Sequence, residues 1–252
     1  MKKTEEDRTQ LTFEDRYNRQ TMIEAIGEEG QCKIQQSKVL LVGIGGLGSP
    51  VATYLTGAGI GTLGIIDDDV VSVTNLHRQV LYTEEEVGLP KAECAKRRLQ
   101  SQNSDINIIA YNERLTKENA TDIITSYDLV IDGMDNFATR FIVSDACERL
   151  GKPYIYGAIR GLEGQVSVLC YPASFSTRQE KGRCTYRTLF PDENATLQMP
   201  HPGKAVLGTT PAVIGSVEAT QALMLICGFG TPLIDKLWTI DLSTMQNFTI
   251  QL

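Results

Sequence analysis

The feature that most constrains the fold is a short apolar run that leads into a glycine-rich turn. Residues 38–42 read KVLLV, and residues 43–48, GIGGLG, fit the pattern G-x-G-x-x-G. A branched apolar run of this length is typical of a strand buried on both faces, and residues 51–58 suit a helix. Such a turn lets the backbone approach phosphate beside the free N–H groups of the helix. The alternative is a tight turn that serves packing alone. The predicted nucleotide contacts are Gly43, Gly45, Gly46 and Gly48.

Strand and helix patterns alternate from about residue 38 to residue 160. This alternation predicts an α/β fold, a Rossmann-like doubly wound, mostly parallel sheet with helices on both faces. Residues 14–35 predict an N-terminal helical segment. Residues 165–170, 237–241 and 247–252 predict a C-terminal antiparallel extension.

The chain is expected to form a single domain over residues 1–252. Residues 1–13 are polar and are expected to be a flexible tail. Residues 171–210 are rich in polar residues and proline, and a loop of this length predicts a mobile crossover segment with a functional role.

Composition excludes several classes of protein. With 24 Lys and Arg against 31 Asp and Glu, the formal charge is −7, which argues against a nucleic-acid partner. We expect no membrane association, because no run of about 18 apolar residues occurs. The six cysteines are scattered, no two form a CxxC pair, and no signal peptide is visible, so a reducing, cytoplasmic location is expected.

Charged residues follow the predicted strands. Asp67 lies at the end of the second strand, where an acid can bind a ribose. Arg78, Lys91 and Asp135 follow strand ends or open helices, so they are expected to converge on one crevice. A guanidinium, an ammonium and a carboxylate suit a triphosphate with a divalent cation. Each also has a simpler interpretation: a surface charge for Arg78 or Lys91, and a helix cap for Asp135.

Several longer motifs occur in order along the chain. They are RYNRQ at 16–20, VGIGGLGSP at 42–50, NLHRQ at 75–79, GLPKAE at 88–93, IDGMDNFATR at 131–140, EGQVSVL at 163–169 and TPAVIGSVEATQAL at 210–223. Together they resemble the ThiF/MoeB/HesA adenylyltransferases, bacterial relatives of ubiquitin-activating enzymes, over about residues 14–227.

The resemblance implies an ATP- and Mg²⁺-dependent reaction. The C-terminal Gly-Gly carboxylate of a small ubiquitin-like sulfur-carrier protein would attack the α-phosphate of ATP, giving an acyl-adenylate and pyrophosphate. Arg78 and Lys91 would neutralise phosphates, Asp135 would bind Mg²⁺, and Arg19 would reach the ATP site of a neighbouring subunit, which implies a homodimer. The implied nucleotide contacts beyond the glycines are Asp67 at the ribose, Asp69 in the same segment, Asn75 and Gln79 at the triphosphate, and Asn136.

The sequence departs from the family at its cysteines. Many members bind zinc through two CxxC pairs, but the first pair's positions are Thr185 and Thr188 here, and the chain ends without the second. We therefore predict no structural zinc. Cys184 is expected to be a solvent-facing loop cysteine, and the family's loop cysteine position falls near residues 201–202. The enzyme is thus expected to stop at the adenylate; the alternative is that Cys184 is a relocated nucleophile.

Other functions remain open at this stage. The pathway could be thiamine, molybdopterin or another thiocarboxylate route. The same fold could adenylate a peptide or a tRNA-bound carboxylate, although the acidic balance argues against tRNA. An NAD-dependent oxidoreductase is disfavoured because hydride transfer does not need Arg78, Lys91 and Asp135, and the intact ATP-site set disfavours a non-catalytic scaffold.

Overall fold

The computed structural model describes residues 13–172, 183–199 and 205–252. The predicted tail at residues 1–13 lies outside the described residues, except for its last position. Parts of the predicted crossover loop, residues 173–182 and 200–204, also lie outside them.

Helices and strands alternate as the sequence predicts. The helices are α1 (Phe13–Thr21), α2 (Gly27–Gln36), α3 (Gly48–Ala58), α4 (Lys91–Gln102), α5 (Ala120–Thr125), α6 (Phe137–Leu150), α7 (Tyr186–Leu189), α8 (Glu193–Leu197) and α9 (Thr209–Cys227). The strands are β1 (Lys38–Val42), β2 (Thr62–Ile66), β3 (Asn107–Tyr111), β4 (Leu129–Asp132), β5 (Tyr154–Arg160), β6 (Glu163–Leu169), β7 (Lys236–Asp241) and β8 (Gln246–Gln251).

One eight-stranded sheet, in the order β3-β2-β1-β4-β5-β6-β7-β8, organises the chain. Strands β1 to β5 are parallel, and β6, β7 and β8 add antiparallel pairs at one side. The strand order reverses between β1 and β4, where Val42 is in register with Ile66 on one side and with Asp132 on the other. The predicted fold class is therefore confirmed, and the carboxyl ends of β1, β2 and β4 meet at the crevice where such sheets bind ligands.

Apolar side chains cover both faces of the sheet, as a doubly wound fold requires. Val39 and Leu41 belong to the core beneath α3, α4 and α9, whereas Leu40 and Val42 belong to the core beneath α5 and α6. Each face of β1 is therefore buried, which explains why its sequence is apolar without alternation.

Helix α9 is long and apolar enough to cross a membrane by length and composition, although its sequence contains no unbroken apolar run of membrane-spanning length. Half of the residues in its apolar window are buried, and the helix packs on α2, α3, β5 and β6.

The predicted crossover loop contains packed structure at residues 183–199. Tyr186 is fully buried, with its ring 4.9 Å from that of Phe141 on α6. Arg187 forms ion pairs with Asp145 and Glu193, each at 2.8 Å. The prediction that Cys184 faces solvent is wrong: it is 4% exposed, because these contacts hold the segment against α6.

Helix α9 carries a buried carboxyl group. Both oxygens of Glu218 are buried and accept no hydrogen bond from the described residues. A Cβ at position 157 would overlap this carboxyl, so Gly157 on β5 makes the space for it. Burial raises the pKa of Glu218 well above its usual value; the charge of Asp132 raises it further, and Arg140 opposes both.

A Glu218→Gln substitution is expected to stabilise the protein at neutral and alkaline pH. The folded-state pKa lies above the unfolded one, so the native protein loses stability as pH rises above about 4.5, the unfolded pKa. Glutamine keeps the shape and cannot ionise. We expect its melting temperature to exceed that of the wild type by about 3–6 °C at pH 8, equivalent to ~1–2 kcal/mol.

The difference in melting temperature between Glu218→Gln and the wild type should become smaller as pH falls towards 4.5, because the glutamate then becomes neutral in the unfolded chain too. Thermal denaturation from pH 4.5 to pH 8 measures this difference. Glu24→Gln, at an exposed position, is the control and should show no such trend. A gap for Glu218→Gln that stays constant with pH would contradict the prediction.

Candidate nucleotide-binding site

The glycine turn and the loop after β4 touch directly. Gly43 has a φ of +89°, which favours glycine, and a Cβ there would stand 2.6 Å from the carbonyl oxygen of Gly133. The N–H of Gly133 donates to the carbonyl of Val42 at 2.7 Å. The turn that follows β1 is therefore seated against the turn that carries Asp135.

The turn leads into the N-terminus of α3. Leu47, the residue before the helix, provides no side-chain cap for the first N–H groups. The Ser49 N–H already donates to the carbonyl of Gly45 at 2.9 Å and Pro50 has no N–H, so it is mainly the positive end of the helix dipole that suits a phosphate group. The structure thus provides the strand, turn and helix that the glycine pattern predicts.

Asp67 binds the turn from the end of β2. One carboxylate oxygen accepts the N–H of Ile44 at 2.8 Å, and the other accepts the N–H of Asp69 at 2.9 Å. Burial raises the pKa of Asp67, while the Ile44 N–H and the charge of Lys91 oppose this. Asp67 is fixed beside the turn and keeps lone pairs with which to accept ribose hydroxyls.

Lys91 is 5% exposed, and its Nζ lies 2.9 Å from the carboxylate of Asp69. The structure therefore gives Asp69 the role of a counter-ion for Lys91. The ion pair places the ammonium group behind the acidic end of β2, close enough to Asp67 to act on its pKa.

Arg78 and Gln79 lie over the glycines. Arg78 Cδ would be 3.5 Å from a Cβ on Gly46, and Gln79 Nε2 would be 3.4 Å from one on Gly45. Arg78 donates to the carbonyl of Thr74 at 2.8 Å. Gln79 is buried, and its Oε1 has no hydrogen-bond partner among the described residues, as expected of a group whose partner is a bound ligand.

Two neighbouring residues of the loop after β4, Asp135 and Asn136, have different roles. Asn136 caps α6, since its side chain accepts the N–H of Thr139 at 2.9 Å. Asp135 is also exposed, and the cap position is taken by Asn136. Its carboxylate is available at the crevice, whereas the side chain of Asn136, predicted to contact the nucleotide, has a structural hydrogen bond.

The other predicted residues differ in position. The side chain of Asn75 accepts the N–H of Ser72 at 3.1 Å, and its carbonyl accepts the N–H groups of Arg78 and Gln79, so it holds the turn that presents them. Arg19 is exposed on α1, and Tyr17 of the same helix lies against Gly59, at the end of α3 opposite the glycine turn.

Two contacts of the turn were not predicted from the sequence. The hydroxyl of Tyr82 donates to the carbonyl of Ile44 at 2.8 Å, and a Cβ on Gly46 would lie 3.3 Å from Pro211 of α9. Both residues are distant in sequence from the turn, and an aromatic or a proline alone carries no ligand signal. The sequence signal for Pro211 is its place in the motif TPAVIGSVEATQAL at 210–223.

The positions that carry zinc-ligating cysteines in many family members form a helix cap here. The Thr185 side chain accepts the N–H of Arg187 at 3.2 Å, and that of Thr188 accepts the N–H of Thr185 at 3.0 Å. These hydroxyls are committed to the start of α7, and the absence of structural zinc stays a prediction.

Among the described residues, one acidic group has ligand atoms close enough together to hold a metal, namely Asp67, Asp68 and Asp69. Asp67 already accepts the N–H of Ile44 in the turn, and Asp69 already pairs with Lys91. Asp135 is a different kind of candidate: a single exposed carboxylate next to a phosphate-binding turn, which suits Mg²⁺, since this ion takes one or two carboxylates plus substrate phosphates.

Comparison with known proteins gives concordant findings. A family model described as the ThiF family matches residues 17–252. A Thermus thermophilus protein named sulfur carrier protein adenylyltransferase is 47% identical over 228 residues, 90% of this chain and 83% of that protein. An Aedes aegypti protein named adenylyltransferase and sulfurtransferase MOCS3 is 42% identical over 94% of this chain, which spans 53% of its length. A crystal structure of PaaA shares the fold, with a TM-score of 0.78, 22% identity and coverage of 96% of this chain and 84% of that one.

Proposed function

This chain belongs to the ThiF family, and we propose that it is an ATP-dependent adenylyltransferase that activates the C-terminal Gly-Gly carboxylate of a ubiquitin-like sulfur-carrier protein. A carboxylate oxygen of the carrier forms a bond to the α-phosphorus of ATP, the bond to the β-phosphate breaks, and pyrophosphate leaves. The product is an acyl-adenylate, whose AMP is a good leaving group for a later sulfur transfer in a thiamine, molybdopterin or other thiocarboxylate route.

The observation that carries this proposal is the contact between Gly43 and Gly133. It seats the phosphate-binding turn against the loop that carries Asp135, and Arg78 and Gln79 lie over the same turn. Phosphate donors and a free carboxylate therefore meet at one edge of the sheet, which is the arrangement that nucleotidyl transfer needs.

The chain's own residues act mainly by positioning and by neutralising charge. The turn and the start of α3 hold phosphate oxygens, and Asp67 holds the ribose. Arg78 releases the carbonyl of Thr74 to pair with the triphosphate, and Lys91 moves from Asp69 to a phosphate oxygen. Gln79 Oε1 and Nε2 orient the bound nucleotide.

Asp135 would hold Mg²⁺ together with phosphate oxygens of ATP. The ion, when bound, supplies charge stabilisation to the pyrophosphate leaving group. The exposed carboxylate fits this role because Mg²⁺ prefers oxygen ligands and keeps several waters.

We propose that the enzyme is a homodimer in which Arg19 completes the site of the other subunit. Tyr17 of the same helix lies against Gly59, at the far end of α3, and its hydroxyl accepts from Asn103 at 2.8 Å. Helix α3 is ~16 Å long, so α1 is anchored a helix length away from the turn. Met22 and Ile23, which follow α1, are 70% and 51% exposed and offer an apolar contact surface.

Two further features support the proposed setting. All six cysteines are free thiols, which suits a reducing, cytoplasmic compartment. Phe248 and Ile250 project from one face of the edge strand β8 and are 60% and 53% exposed, which offers an apolar surface for the carrier protein.

The proposed function predicts carrier-dependent exchange of labelled pyrophosphate into ATP. Adenylation is reversible as long as pyrophosphate is present, so a carrier ending in Gly-Gly should raise exchange at least about a hundredfold over enzyme alone. A carrier with an amidated C-terminus is the control, because it lacks the attacking oxygen. The absence of exchange with every Gly-Gly-ended carrier, together with tight binding of NAD, would overturn the proposal.

A further inference from the structure

A buried ion pair lies beneath the loop that carries Asp135. Asp132 ends β4, Arg140 lies on α6, and both are buried. Arg140 Nε donates to Asp132 Oδ2 at 2.8 Å, and the hydroxyl of Tyr154 donates to the same oxygen at 2.9 Å. The pair therefore ties the end of a strand to the helix that begins on the other side of the loop.

These two side chains also hold both backbone polar groups of Met134, the residue before Asp135. Asp132 Oδ1 accepts the Met134 N–H at 2.8 Å, and Arg140 Nη2 donates to the Met134 carbonyl at 2.7 Å. The same Nη2 donates to the carbonyl of Gly157 on β5 at 2.9 Å. The peptide group that leads into Asp135 is thus fixed to two strands and a helix.

On its other side, Asp135 is followed by Asn136, which is fixed as the cap of α6. The backbone of Asp135 is therefore held at both ends, while its side chain is exposed. Because Gly133 also touches Gly43, this bracing determines where the Asp135 carboxylate stands relative to the phosphate-binding turn.

We propose that Asp132 and Arg140 are positioning residues for the adenylation reaction, which set the place of the Asp135 carboxylate through Met134. The inference rests on the proposed function and on the role of Asp135 in holding Mg²⁺. Stability alone does not account for the pair, since well-packed apolar residues often replace a buried ion pair without loss. An apolar pair, however, could not hold the N–H and carbonyl of Met134.

Lysine in place of Arg140 separates charge from geometry. An ammonium group keeps the positive charge beside Asp132, but it lacks the planar fork that reaches the carboxylate and two carbonyls together. The backbone around Met134 should then become less rigidly held, while the carboxylate of Asp132 keeps a positively charged partner in the core. Groups that orient a metal ligand in this way are typically worth ten- to a hundredfold in metal affinity.

The experiment compares Arg140→Lys with Arg187→Lys in the full-length protein. Arg187 is the control: like Arg140 it pairs with an aspartate, Asp145 at 2.9 and 2.8 Å, and lies over an aromatic ring, but its hydrogen bonds to the described residues include none to Met134. Electron paramagnetic resonance measures the binding of Mn²⁺ in the presence of a non-hydrolysable ATP analogue, and equilibrium dialysis measures ATP binding without metal.

For Arg140→Lys we expect Mn²⁺ to bind about tenfold more weakly and metal-free ATP to bind within about twofold of the wild type. The Mg²⁺ concentration for half-maximal exchange should rise by a similar factor. Arg187→Lys should change none of these values. Equal weakening of Mn²⁺ in both variants, or an equal loss of metal-free ATP binding in Arg140→Lys, would overturn the inference.

A milder variant covers the case in which Arg140→Lys does not fold. Tyr154→Phe removes one donor from Asp132 and should weaken Mn²⁺ binding by about two- to threefold. Unchanged binding in folded Tyr154→Phe would count against the inference. The measurement of Mn²⁺ binding needs no carrier protein, so it tests the role of Asp132 and Arg140 by itself. A wild-type enzyme that shows no exchange with any carrier would instead refute the proposed function.

Discussion

An Asp135→Ala variant is expected to keep its fold and to lose carrier-dependent ATP–pyrophosphate exchange by about a thousandfold. Asp135 is exposed, and the described residues give its side chain no role in capping α6, so its removal leaves the surrounding packing unchanged. The loss follows because the only free carboxylate on the loop seated against the glycine turn would be gone. Exchange assays at saturating ATP and carrier, with circular dichroism as the test of folding, measure the two halves of the prediction.

Asp105→Ala is the matched control. Asp105 is an exposed aspartate that precedes β3, at the opposite edge of the sheet, with a long contact of 3.9 Å to Arg16. Its loss should leave exchange within about twofold of the wild type, as expected for a surface pair. Near-normal exchange in Asp135→Ala would show that adenylation does not need the Asp135 carboxylate. The same assay on Cys184→Ala should show full exchange, because that thiol is buried away from solvent.

An Arg19→Ala variant is expected to lose about a hundredfold or more of the exchange activity, and to regain part of it when mixed with Asp135→Ala. Each variant alone damages every site. In a mixed dimer, one site receives both substitutions and the other receives neither, provided that Arg19 acts across the interface. An equal mixture should therefore recover up to about a quarter of the wild-type activity.

The complementation is measured after subunit exchange, followed by the same exchange assay. Arg98→Ala, which removes an exposed arginine from α4, should keep its own activity and serves as the control for loss of surface charge. A mixture that stays as inactive as its components would show that Arg19 does not act in trans. Light scattering that finds a monomer at assay concentrations would contradict the dimer itself.

Sequence patterns predicted the sheet and the turn because both depend on local signals. The run KVLLV followed by GIGGLG requires a buried strand, a left-handed glycine at Gly43 and a helix start, whatever surrounds them. Prediction was harder where side chains choose among partners. The side-chain oxygens of Asn75 and Asn136 accept backbone N–H groups, which compete effectively for short amides, and the nucleotide contacts of both residues stay predictions.

Cys184 shows the same limit in a different way. A polar stretch predicts exposure, yet Tyr186 fills a space beside Phe141 and Arg187 pairs with Asp145, so the segment is held against α6. Such burial depends on partners about 40 residues away in the chain, and no local pattern encodes them.

The sequence by itself determined the fold class, the family motifs and the residue types available at the carboxyl edge of the sheet, because hydrophobic period and glycine placement are local properties. Only the tertiary structure decided which of those residues meet. Three such features are products of strand register and helix docking: the contact of Gly43 with Gly133, the lack of a partner for Gln79 Oε1 among the described residues, and the bracing of Met134 by Asp132 and Arg140. Long-range packing fixes such distances to fractions of an ångström, and a linear pattern carries no information about them.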